Sequence, residues 1–361
     1  MARPSWLLAI AMAGDGLLYA LLPLMPEAFG ISLAWAGLLL AANRIVRIFA
    51  YTQVARLTAR LGARRAATIA AAGAVVSTAI FAAEASDWVQ LAARFLWGLS
   101  FAAINLVTFA YAASVPEQAG RRIGTSRAIV GIAITFTLLA GCFAVDRIGA
   151  QMLFTIVTVL SLACLPLALA LPSVDIRPPR HRALLMPLPG RIDLWAAAQG
   201  FVVDGVFLVS VTLLLKANVT DFSPAMATGI VFSLRWIVES FCAPIGGRLA
   251  DRFGATRVML VFGILMSAAL ASIAFGFVYA GAVAVTVVRG LTNTIAAAMV
   301  AERNPGDSVG AQSVYSTYRD IGAALGPLIA GLFIDEIGRL PLYLALSLVL
   351  GGTTLMLRRW R

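Results

Sequence analysis

Two stretches of this chain, 192 residues apart, align without a gap and decide its fold. The first runs NRIVRIFAYTQVARLTARLGARR over residues 43–65, and the second runs RWIVESFCAPIGGRLADRFGATR over residues 235–257. An Ile-Val pair, a Phe, an Arg-Leu pair, an Arg-x-Gly-Ala core and a final Arg recur in the same register. The chain therefore contains an internal repeat of about half its length.

Two shorter matches extend the repeat. Asp15-Gly16 recurs as Asp204-Gly205, and the motif AGCFAVDRIG at 140–149 recurs as AGLFIDEIG at 330–338. Three matches in the same order predict two structurally equivalent halves in parallel orientation. In membrane proteins, such halves enclose a solute site near the midplane and expose it to each side in turn.

The composition places these halves in a membrane. Hydrophobic residues make up 61% of the 361 residues, charged residues 12%, and the mean hydropathy is +0.91. A soluble domain normally carries about 25% charged residues. Apolar runs predict twelve spanning helices at 6–25, 34–55, 66–83, 88–113, 125–145, 150–171, 193–215, 225–247, 256–277, 280–301, 313–334 and 338–357. At roughly 20 residues a span, they leave little room for a soluble domain.

Arginine is concentrated in alternate connections. The arginine-rich segments follow spans 2, 4, 6 and 8 and end the chain, with Arg56, Arg60, Arg64, Arg65, Arg121, Arg122, Arg177, Arg180, Arg182, Arg191, Arg248, Arg252, Arg257, Arg358, Arg359 and Arg361. The opposite connections hold acids such as Glu27, Asp87 and Asp335. The positive-inside rule then predicts cytoplasmic termini in a bacterial inner membrane. The net charge of +11 is accounted for by this distribution, so we expect no nucleic-acid partner.

Several chemistries lack the residues that they need. The single histidine, His181, lies in a Pro/Arg-rich linker, and Cys142, Cys164 and Cys242 have unrelated spacings within apolar runs. No metal cluster, catalytic triad or nucleotide-binding loop is visible. We therefore expect no enzyme activity, no cofactor, no bound metal and no direct use of ATP.

The motif GGRLADRFGATR at 246–257 resembles the cytoplasmic signature of the major facilitator superfamily, and the resemblance covers the whole chain. It implies an all-α fold of twelve transmembrane helices in two pseudo-symmetric six-helix bundles, at 1–171 and 193–361, joined by a cytoplasmic linker at 172–192. It also implies a monomer.

In that family the acidic residue of the signature helps to lock the cytoplasmic gate. The resemblance implies such a gate around Asp251, Arg252 and Gly254, with Asp251 directed toward Arg127 at the inner end of span 5. After span 2, Ala59 stands where the family has the acidic residue, which leaves the gate of the first half in doubt.

A glycine pattern separates two kinds of transporter. Antiporters of the family carry Gly-x-x-x-Gly-Pro in span 5, whereas this chain has Gly322, Gly326, Pro327 and Gly331 in span 11. This placement argues against a drug antiporter. Small residues at helical spacing also let two helices approach closely, so packing is the simpler role.

Ionisable residues within the spans are the candidates for function, because charge at bilayer depth is costly without a partner or a cavity. Asn43, Arg47 and Tyr51 share one helix face, as do Arg235 and Glu239, and Arg44 and Trp236 adjoin them. Under the repeat alignment, Arg47 corresponds to Glu239. We expect these residues to bind a solute whose ends differ, with arginine gripping a carboxylate or phosphate. The alternative is a salt bridge between Arg47 and Glu239 across the halves.

Two carboxylates, Asp15 in span 1 and Asp204 in span 7, are the proton-carrying candidates. In proton-coupled members of the family, an acid in span 1 pairs with an arginine in span 4. The resemblance implies a pair of Asp15 with Arg94, and the repeat implies its counterpart, Asp204 with Arg289. The alternative is two fixed structural salt bridges.

These observations predict a secondary transporter that moves a small anionic or zwitterionic organic solute through the lipid bilayer, driven by protons or, alternatively, sodium. One rival is a proton antiporter exporting amphipathic drugs or a metal-chelating small molecule. Another is a transport-inactive sensor or assembly partner, suggested by Ala59. Lys216, the only lysine, is expected to anchor span 7 at the outer surface.

Overall fold

The computed structural model describes residues 1–83, 85–174, 176, 188–207 and 224–359, and all regular elements within them are helices. The first half contains α1 (Ala2–Leu21), α2 (Leu33–Leu61), α3 (Ala63–Ala82), α4 (Asp87–Ala113), α5 (Ala119–Ser161) and α6 (Cys164–Leu169). The second contains α7 (Arg191–Gln199), a π-helix (Gly200–Phe207), α8 (Pro224–Phe253), α9 (Ala255–Ala274), α10 (Val278–Arg303), α11 (Ser308–Ile337) and α12 (Arg339–Met356). The predictions for His181 and Lys216 lie outside the described residues.

The helices have the lengths that membrane crossing requires. Within the described part of the chain, eight helical segments are long and apolar enough to span, and one of them, 116–169, contains two crossings. Helices α2 and α11 have 29 and 30 residues. At 1.5 Å per residue, each exceeds the bilayer core of about 30 Å. With α7 and its π-helical continuation, these segments account for the twelve predicted spans.

Four glycines make the tight reversals between consecutive spans. Gly62, Gly149, Gly254 and Gly338 have φ between 75° and 84°, in the left-handed region where a side chain is disfavoured. Gly62 and Gly254 occupy equivalent positions of the repeat, as do Gly149 and Gly338. Gly149 breaks the long α5 where the sequence separates span 5 from span 6. The repeat is therefore a repeat of turn geometry as well as of sequence.

Each half has its own apolar core. Buried side chains of α1 to α6 form one cluster, and those of α7 to α12 form another. Phe109, Ala112, Ala119 and Ile123 of the first half join the second cluster instead. Ala225 and Val309 of the second half in turn join the first cluster. The four residues of the first half lie near the connection after span 4, at the end of the molecule that holds the arginine-rich connections, which we call the arginine-rich end.

The outer surface presents large apolar side chains to its surroundings. Trp88, Phe136, Phe241 and Leu348 are each at least 70% exposed. On a soluble protein, so many exposed apolar side chains would be an aggregation hazard. On a helical bundle in a bilayer, they face the lipid tails.

The two halves pack most closely along α5 and α8, where small residues replace large ones. A Cβ atom placed on Gly120 would lie 2.5 Å from the carbonyl oxygen of Gly247, and one on Gly124 would lie 2.5 Å from that of Ala243. Further along, one on Gly131 would lie 2.2 Å from the Ser240 hydroxyl. These glycines let the helix backbones touch across the boundary between the halves.

The glycines of span 11 have the packing role expected for them. A Cβ atom on Gly322 would lie 2.0 Å from the carbonyl oxygen of Ala197, and one on Gly326 would lie 2.6 Å from that of Phe201. They bring α11 against α7 and the π-helix within the second half. This contact fixes the position of the charged residues that α11 carries.

Candidate functional site

A cavity of about 160 Å³ lies between the two halves and collects most of the ionisable residues of the spans. Eight spans contribute to its wall. The lining residues are Met12, Asp15, Tyr19, Arg44, Arg47, Tyr51, Phe101, Asn105, Arg127, Asp204, Arg235, Trp236, Glu239, Arg289, Gln312, Ser316, Arg319, Asp320 and Ala323. The cavity therefore includes Asp15 and Asp204, Arg289, and the predicted substrate residues of spans 2 and 8 except Asn43.

On the first half, the structure pairs Asp15 with Arg94. The distance between Arg94 Nη1 and Asp15 Oδ1 is 2.7 Å, and Arg94 Nε donates to the Leu39 carbonyl at 3.0 Å. Asn43 Nδ2 lies 3.4 Å from the same oxygen of Asp15 and also meets the Tyr19 hydroxyl. Asn43 is itself buried, so it positions Asp15 rather than lining the cavity.

On the second half, Asp204 is surrounded by guanidinium groups. Arg289 Nη2 lies 2.6 Å from Oδ1, Arg319 Nη2 lies 2.7 Å from Oδ2, and Arg235 Nη2 lies 3.5 Å from Oδ1. The predicted pair of Asp204 with Arg289 is therefore present, and two further arginines share the carboxylate. Asp204 lies in the π-helix, an irregularity that often occurs at functional sites.

Glu239 extends this network within the second half. Its Oε2 accepts a bond of 2.9 Å from Arg289 Nη1, and its Oε1 accepts one of 3.3 Å from Asn293. Arg289 thus bridges the carboxylates of Asp204 and Glu239. The alternative salt bridge between Arg47 and Glu239 is wrong, because Glu239 is already paired inside its own half.

Arg47 instead reaches a carboxylate of the other half. Its Nε lies 2.7 Å from Oδ2 of Asp320 on α11, and its guanidinium stacks 4.7 Å above the ring of Phe101. One turn along α11, the carbonyl of Ala323 accepts a bond of 2.7 Å from Arg44 Nη1. Arg44 and Arg47 of span 2 therefore both bind α11 across the cavity.

The sequence reasoning missed Arg319 and Asp320. Both lie inside the predicted span at 313–334, where an adjacent basic and acidic residue is itself a signal of an intramembrane site. A complete count of ionisable residues within that span would have found them. Their partners, Asp204 and Arg47, are in different halves and are not evident from sequence spacing.

Three arginines of the cavity remain after the carboxylates are paired. Each of the four carboxylates has a guanidinium within 2.9 Å, supplied by Arg47, Arg94, Arg289 and Arg319. Among the described residues, no carboxylate forms an ion pair with Arg44 or Arg127, and Arg235 reaches only the already paired Asp204 at 3.5 Å. The Nε of Arg235 has no hydrogen-bond partner in the described part of the protein. The cavity thus has an excess of positive charge.

Aromatic rings hold the arginines in place. Arg44 lies 5.6 Å from the centre of the Tyr19 ring, and Arg235 lies 5.9 Å from that of Trp236. Stacking of a guanidinium on an aromatic face leaves its edge free for an anion. Trp236 therefore lines the cavity as predicted, and it also supports a cation.

Asp251 does connect the halves at the arginine-rich end, but through backbone groups. Its Oδ1 and Oδ2 accept bonds of 2.8 Å from the amides of Gly120 and Arg121, in the first turn of α5. The predicted approach of Asp251 to Arg127 is wrong, because Arg127 lies two turns further along α5 and faces the cavity. A carboxylate at a helix N-terminus satisfies amides that have no partner in the helix.

The two other predicted gate residues lie beside this contact. Arg252 is exposed and stacks 5.2 Å from the ring of Phe253. Gly254 makes the turn into α9, whose first amide, on Ala255, donates to Glu302 at 3.0 Å. Where the first half has Ala59, the facing helix α11 is capped by Asp307, which precedes it and accepts from Gly310 at 3.1 Å. The carboxylate that spans the halves is present on one side only.

No cluster of His, Cys, Asp and Glu able to hold a metal ion occurs among the residues that the structure describes. Two helical halves that enclose a charged cavity are the architecture of many membrane transporters.

The chain belongs to the major facilitator superfamily, since the family model matches residues 5–215 and again residues 195–361. The multi-drug resistance efflux pump PmrA homolog of Lactococcus lactis subsp. lactis is 29% identical over 133 residues, which span 36% of this chain and 33% of that protein. The human organic anion transporter MFSD10 (TETRAN) has a similar structure, with a TM-score of 0.76 at 16% identity and coverage of 99% of both chains. The fucose:proton symporter FucP of E. coli superposes with a TM-score of 0.76 at 13% identity, covering 99% of this chain and 97% of FucP.

Proposed function

We propose that this member of the superfamily is a proton-coupled transporter that carries small organic anions across a bacterial inner membrane by alternating access. Two six-helix halves, with boundaries near 171 and 193, would rock about the cavity and expose it to each side in turn. The observation that carries the proposal is the set of three cavity arginines without a close carboxylate of their own, Arg44, Arg127 and Arg235.

The charge of the cavity favours an anion over a neutral or cationic solute. Six arginines and four carboxylates form its wall, and Arg94 behind the wall neutralises Asp15, so three positive charges remain when all are ionised. Uncompensated charge at bilayer depth is costly, and an anionic solute would remove that cost. A zwitterion would bring its own cation into an already positive site and would gain less.

The size of the cavity favours a small solute. Pockets for drug-sized ligands are about 300–1,000 Å³, whereas this cavity measures about 160 Å³. Arg44 and Arg235, from opposite halves, would each offer a planar fork to a carboxylate or phosphate. Asn105, Gln312 and Ser316 add uncharged groups to the wall.

The predicted proton-coupling pairs keep different roles in this proposal. Asp15 meets one guanidinium, that of Arg94, and its side chain is 12% exposed toward the cavity, so it is a candidate proton carrier. Asp204 is shared by three guanidiniums and is better suited to hold Arg289 and Arg319 in place. Closure at the arginine-rich end would be assigned to Asp251.

Export of amphipathic drugs is a second candidate function. The observation that favours it is the local match to a multi-drug efflux pump, which covers about a third of each protein. The same aromatic residues, Tyr19, Phe101 and Trp236, would then bind the solute directly. The substrates of MFSD10 and FucP carry no argument here, because identities of 16% and 13% establish likeness of fold alone.

Proteoliposomes with a trapped pH indicator test the proposal. We expect succinate or citrate to drive proton movement, whereas neutral sugars and permanently charged amphipathic cations should not. Loss of a hydrogen bond to a charged group costs about 1.5–3 kcal/mol, so Arg44→Gln and Arg127→Gln should each raise the Kd for the transported anion by roughly 10- to 150-fold.

Arg147→Gln is the matched control, since Arg147 is exposed and does not line the cavity. Equal loss of binding in all three variants would show that the effect is not local to the cavity. Movement of amphipathic cations but of no anion would favour the drug exporter. Transport of the anion that requires sodium and moves no protons would show that sodium, and not the proton, is the coupling ion.

A further inference from the structure

Helix α11 places two consecutive ionic side chains on opposite sides of the boundary between the halves. Arg319 binds Asp204 within the second half, with distances of 2.7 and 3.1 Å from its Nη2 and Nε to Oδ2. The next residue, Asp320, binds Arg47 of the first half at 2.7 Å. One helix is therefore fixed to its own half by one residue and to the opposite half by the following one.

Among the described residues, the pair of Arg47 and Asp320 is the only ion pair that joins the two halves. The other five ion pairs lie within one half or the other. Rigid-body rocking can leave those five intact, whereas it must break the bond between Arg47 and Asp320 if the halves separate on that side. Breaking it leaves a guanidinium and a carboxylate without their ionic partners at bilayer depth, which is costly.

We infer that Asp320 is a proton-binding residue of the transport cycle, and that an organic anion releases it by competing for Arg47. The inference rests on the proposed function, and it names a residue that the sequence motifs do not indicate. The solute carboxylate would take the place of the Asp320 carboxylate on Arg47 and on the neighbouring Arg44. The freed Asp320 would bind one proton from water and become a neutral carboxylic acid.

The charges balance in this step. Before it, Arg47 is neutralised by Asp320; afterwards, Arg47 is neutralised by the solute, and Asp320 is neutral because it carries the proton. A carboxylate that has lost its ion-pair partner inside a low-dielectric cavity is the form that burial disfavours. The solute and the proton would therefore bind together, which makes the transporter a symporter.

The surroundings of Asp320 are mixed and must be taken together. Its closest cation is Arg47, and Arg44 lies on the adjacent turn of α2. Other titratable groups line the same cavity, and they are Asp15 and Tyr19 of α1, Tyr51 of α2, Arg127 of α5, Asp204 of the π-helix, Arg235 and Glu239 of α8, Arg289 of α10 and Arg319 of α11. Asp320 is 15% exposed toward the cavity, so water can deliver the proton.

Asp320 differs from the two other cavity aspartates in what its protonation would change. Neutralising Asp15 or Asp204 alters contacts inside one half, and Asp204 has three guanidiniums that oppose its protonation. Neutralising Asp320 removes a bond between the halves. Only in the last case does proton binding act directly on the movement.

The proton and the solute favour the same state, in which the bond between Arg47 and Asp320 is broken, so acid alone should also shift the population toward it. A distance measurement between spin labels therefore tests the inference without a known solute. Labels at Glu27→Cys and Tyr279→Cys, exposed residues of the two halves near the opposite end from the arginine-rich end, report their separation in a variant with the native cysteines replaced by alanine. In the wild type, we expect the distance distribution to shift between mildly acidic and mildly alkaline buffer. Asp320→Asn should hold the acidic distribution in both buffers.

Asp87→Asn is the control, since Asp87 begins α4 away from the cavity and should keep the wild-type response. A wild-type distance that ignores pH, or a response that persists in Asp320→Asn, would overturn the inference. A response lost in Asp15→Asn and kept in Asp320→Asn would also overturn it and would assign the proton to Asp15.

Transport separates this inference from the proposed function. With succinate as the probe, the rate of uptake driven by a pH gradient should be at least tenfold lower in Asp320→Asn than in the wild type. The same variant should still exchange labelled for unlabelled succinate. Wild-type vesicles that move no organic anion would refute the proposed function, while the label distances would still decide the role of Asp320. Gradient-driven uptake equal to the wild type in Asp320→Asn would overturn the inference and leave the proposed function intact.

Discussion

Replacement of Asp251 by alanine should open the arginine-rich end of the transporter. The carboxylate accepts two backbone amides of α5 at 2.8 Å, and α5 has no side-chain cap of its own at this end. Loss of a capping side chain costs about 0.5–2 kcal/mol. Because Asp251 is partly open to solvent, we take this range without adding a further ion-pair contribution. The equilibrium between closed and open forms should then shift by roughly 2- to 30-fold.

Spin labels at Arg65→Cys and Arg257→Cys measure this shift. The two residues are equivalent in the repeat, and both are exposed at the arginine-rich end of different halves. We expect the longer distance to gain population in Asp251→Ala and to gain less in Asp251→Asn, which keeps an acceptor. Asp193→Ala is the matched control, since it removes a carboxylate that accepts the Gly190 amide at 2.8 Å at the start of α7, within the second half.

Two results would refute this reasoning. If the labels report the same distribution for Asp251→Ala and wild type, the trans cap does not contribute to closure. If Asp193→Ala opens the end as much as Asp251→Ala does, the effect reflects general loss of helix capping. In either case the assignment of Asp251 as the gate residue fails.

Three further predictions concern packing, charge and backbone. Gly124→Val should abolish transport but leave expression intact, because even a Cβ atom on residue 124 would lie 2.5 Å from the carbonyl oxygen of Ala243. Gly352→Ala is the comparison and should keep transport, because the added atom meets nothing within 4 Å. Asp204→Asn should destabilise the folded protein by about 3–5 kcal/mol, because it leaves buried arginines without their carboxylate. If the fall in Tm for Asp204→Asn is no larger than the fall for Asp320→Asn, this prediction is wrong. Gly338→Ala should cost about 1–3 kcal/mol, because φ of 75° with ψ of 158° lies in a region that essentially only glycine adopts. Gly37→Ala within α2 should not lower Tm, and equal effects of the two substitutions would show that backbone strain is not the cause.

The sequence was sufficient for the architecture because its signals are local or repeated. Apolar runs bounded by short polar connections place each helix, and the repeat around Gly62 and Gly254 relates the halves. Gly149 even marks the reversal inside the long α5. The predicted limits of the spans differ from those of the helices by a few residues, since hydropathy does not define where a helix ends outside the apolar core.

The site was predictable by residue type more than by partner. A rare charge within a span identifies a candidate, so Asp15, Arg94, Asp204 and Arg289 could be chosen from the sequence, and their pairing from the family resemblance. The pairing of Arg47 with Asp320 could not be predicted, because it depends on which face of α11 meets α2. Arg127 was likewise assigned to the wrong contact, since sequence depth alone does not say whether a residue faces a gate or a cavity.

The four glycine reversals also limit how the protein can move. One residue alone separates α2 from α3, the two parts of α5, α8 from α9, and α11 from α12. A connection of one residue restricts the relative motion of the two helices that it joins, so we expect each hairpin to move as one rigid unit. The segment between α6 and α7 is the single covalent connection between the hairpins of the first half and those of the second. A displacement of one helix at the cavity should therefore move the whole hairpin to which it belongs, including the ends of that hairpin at the membrane surfaces.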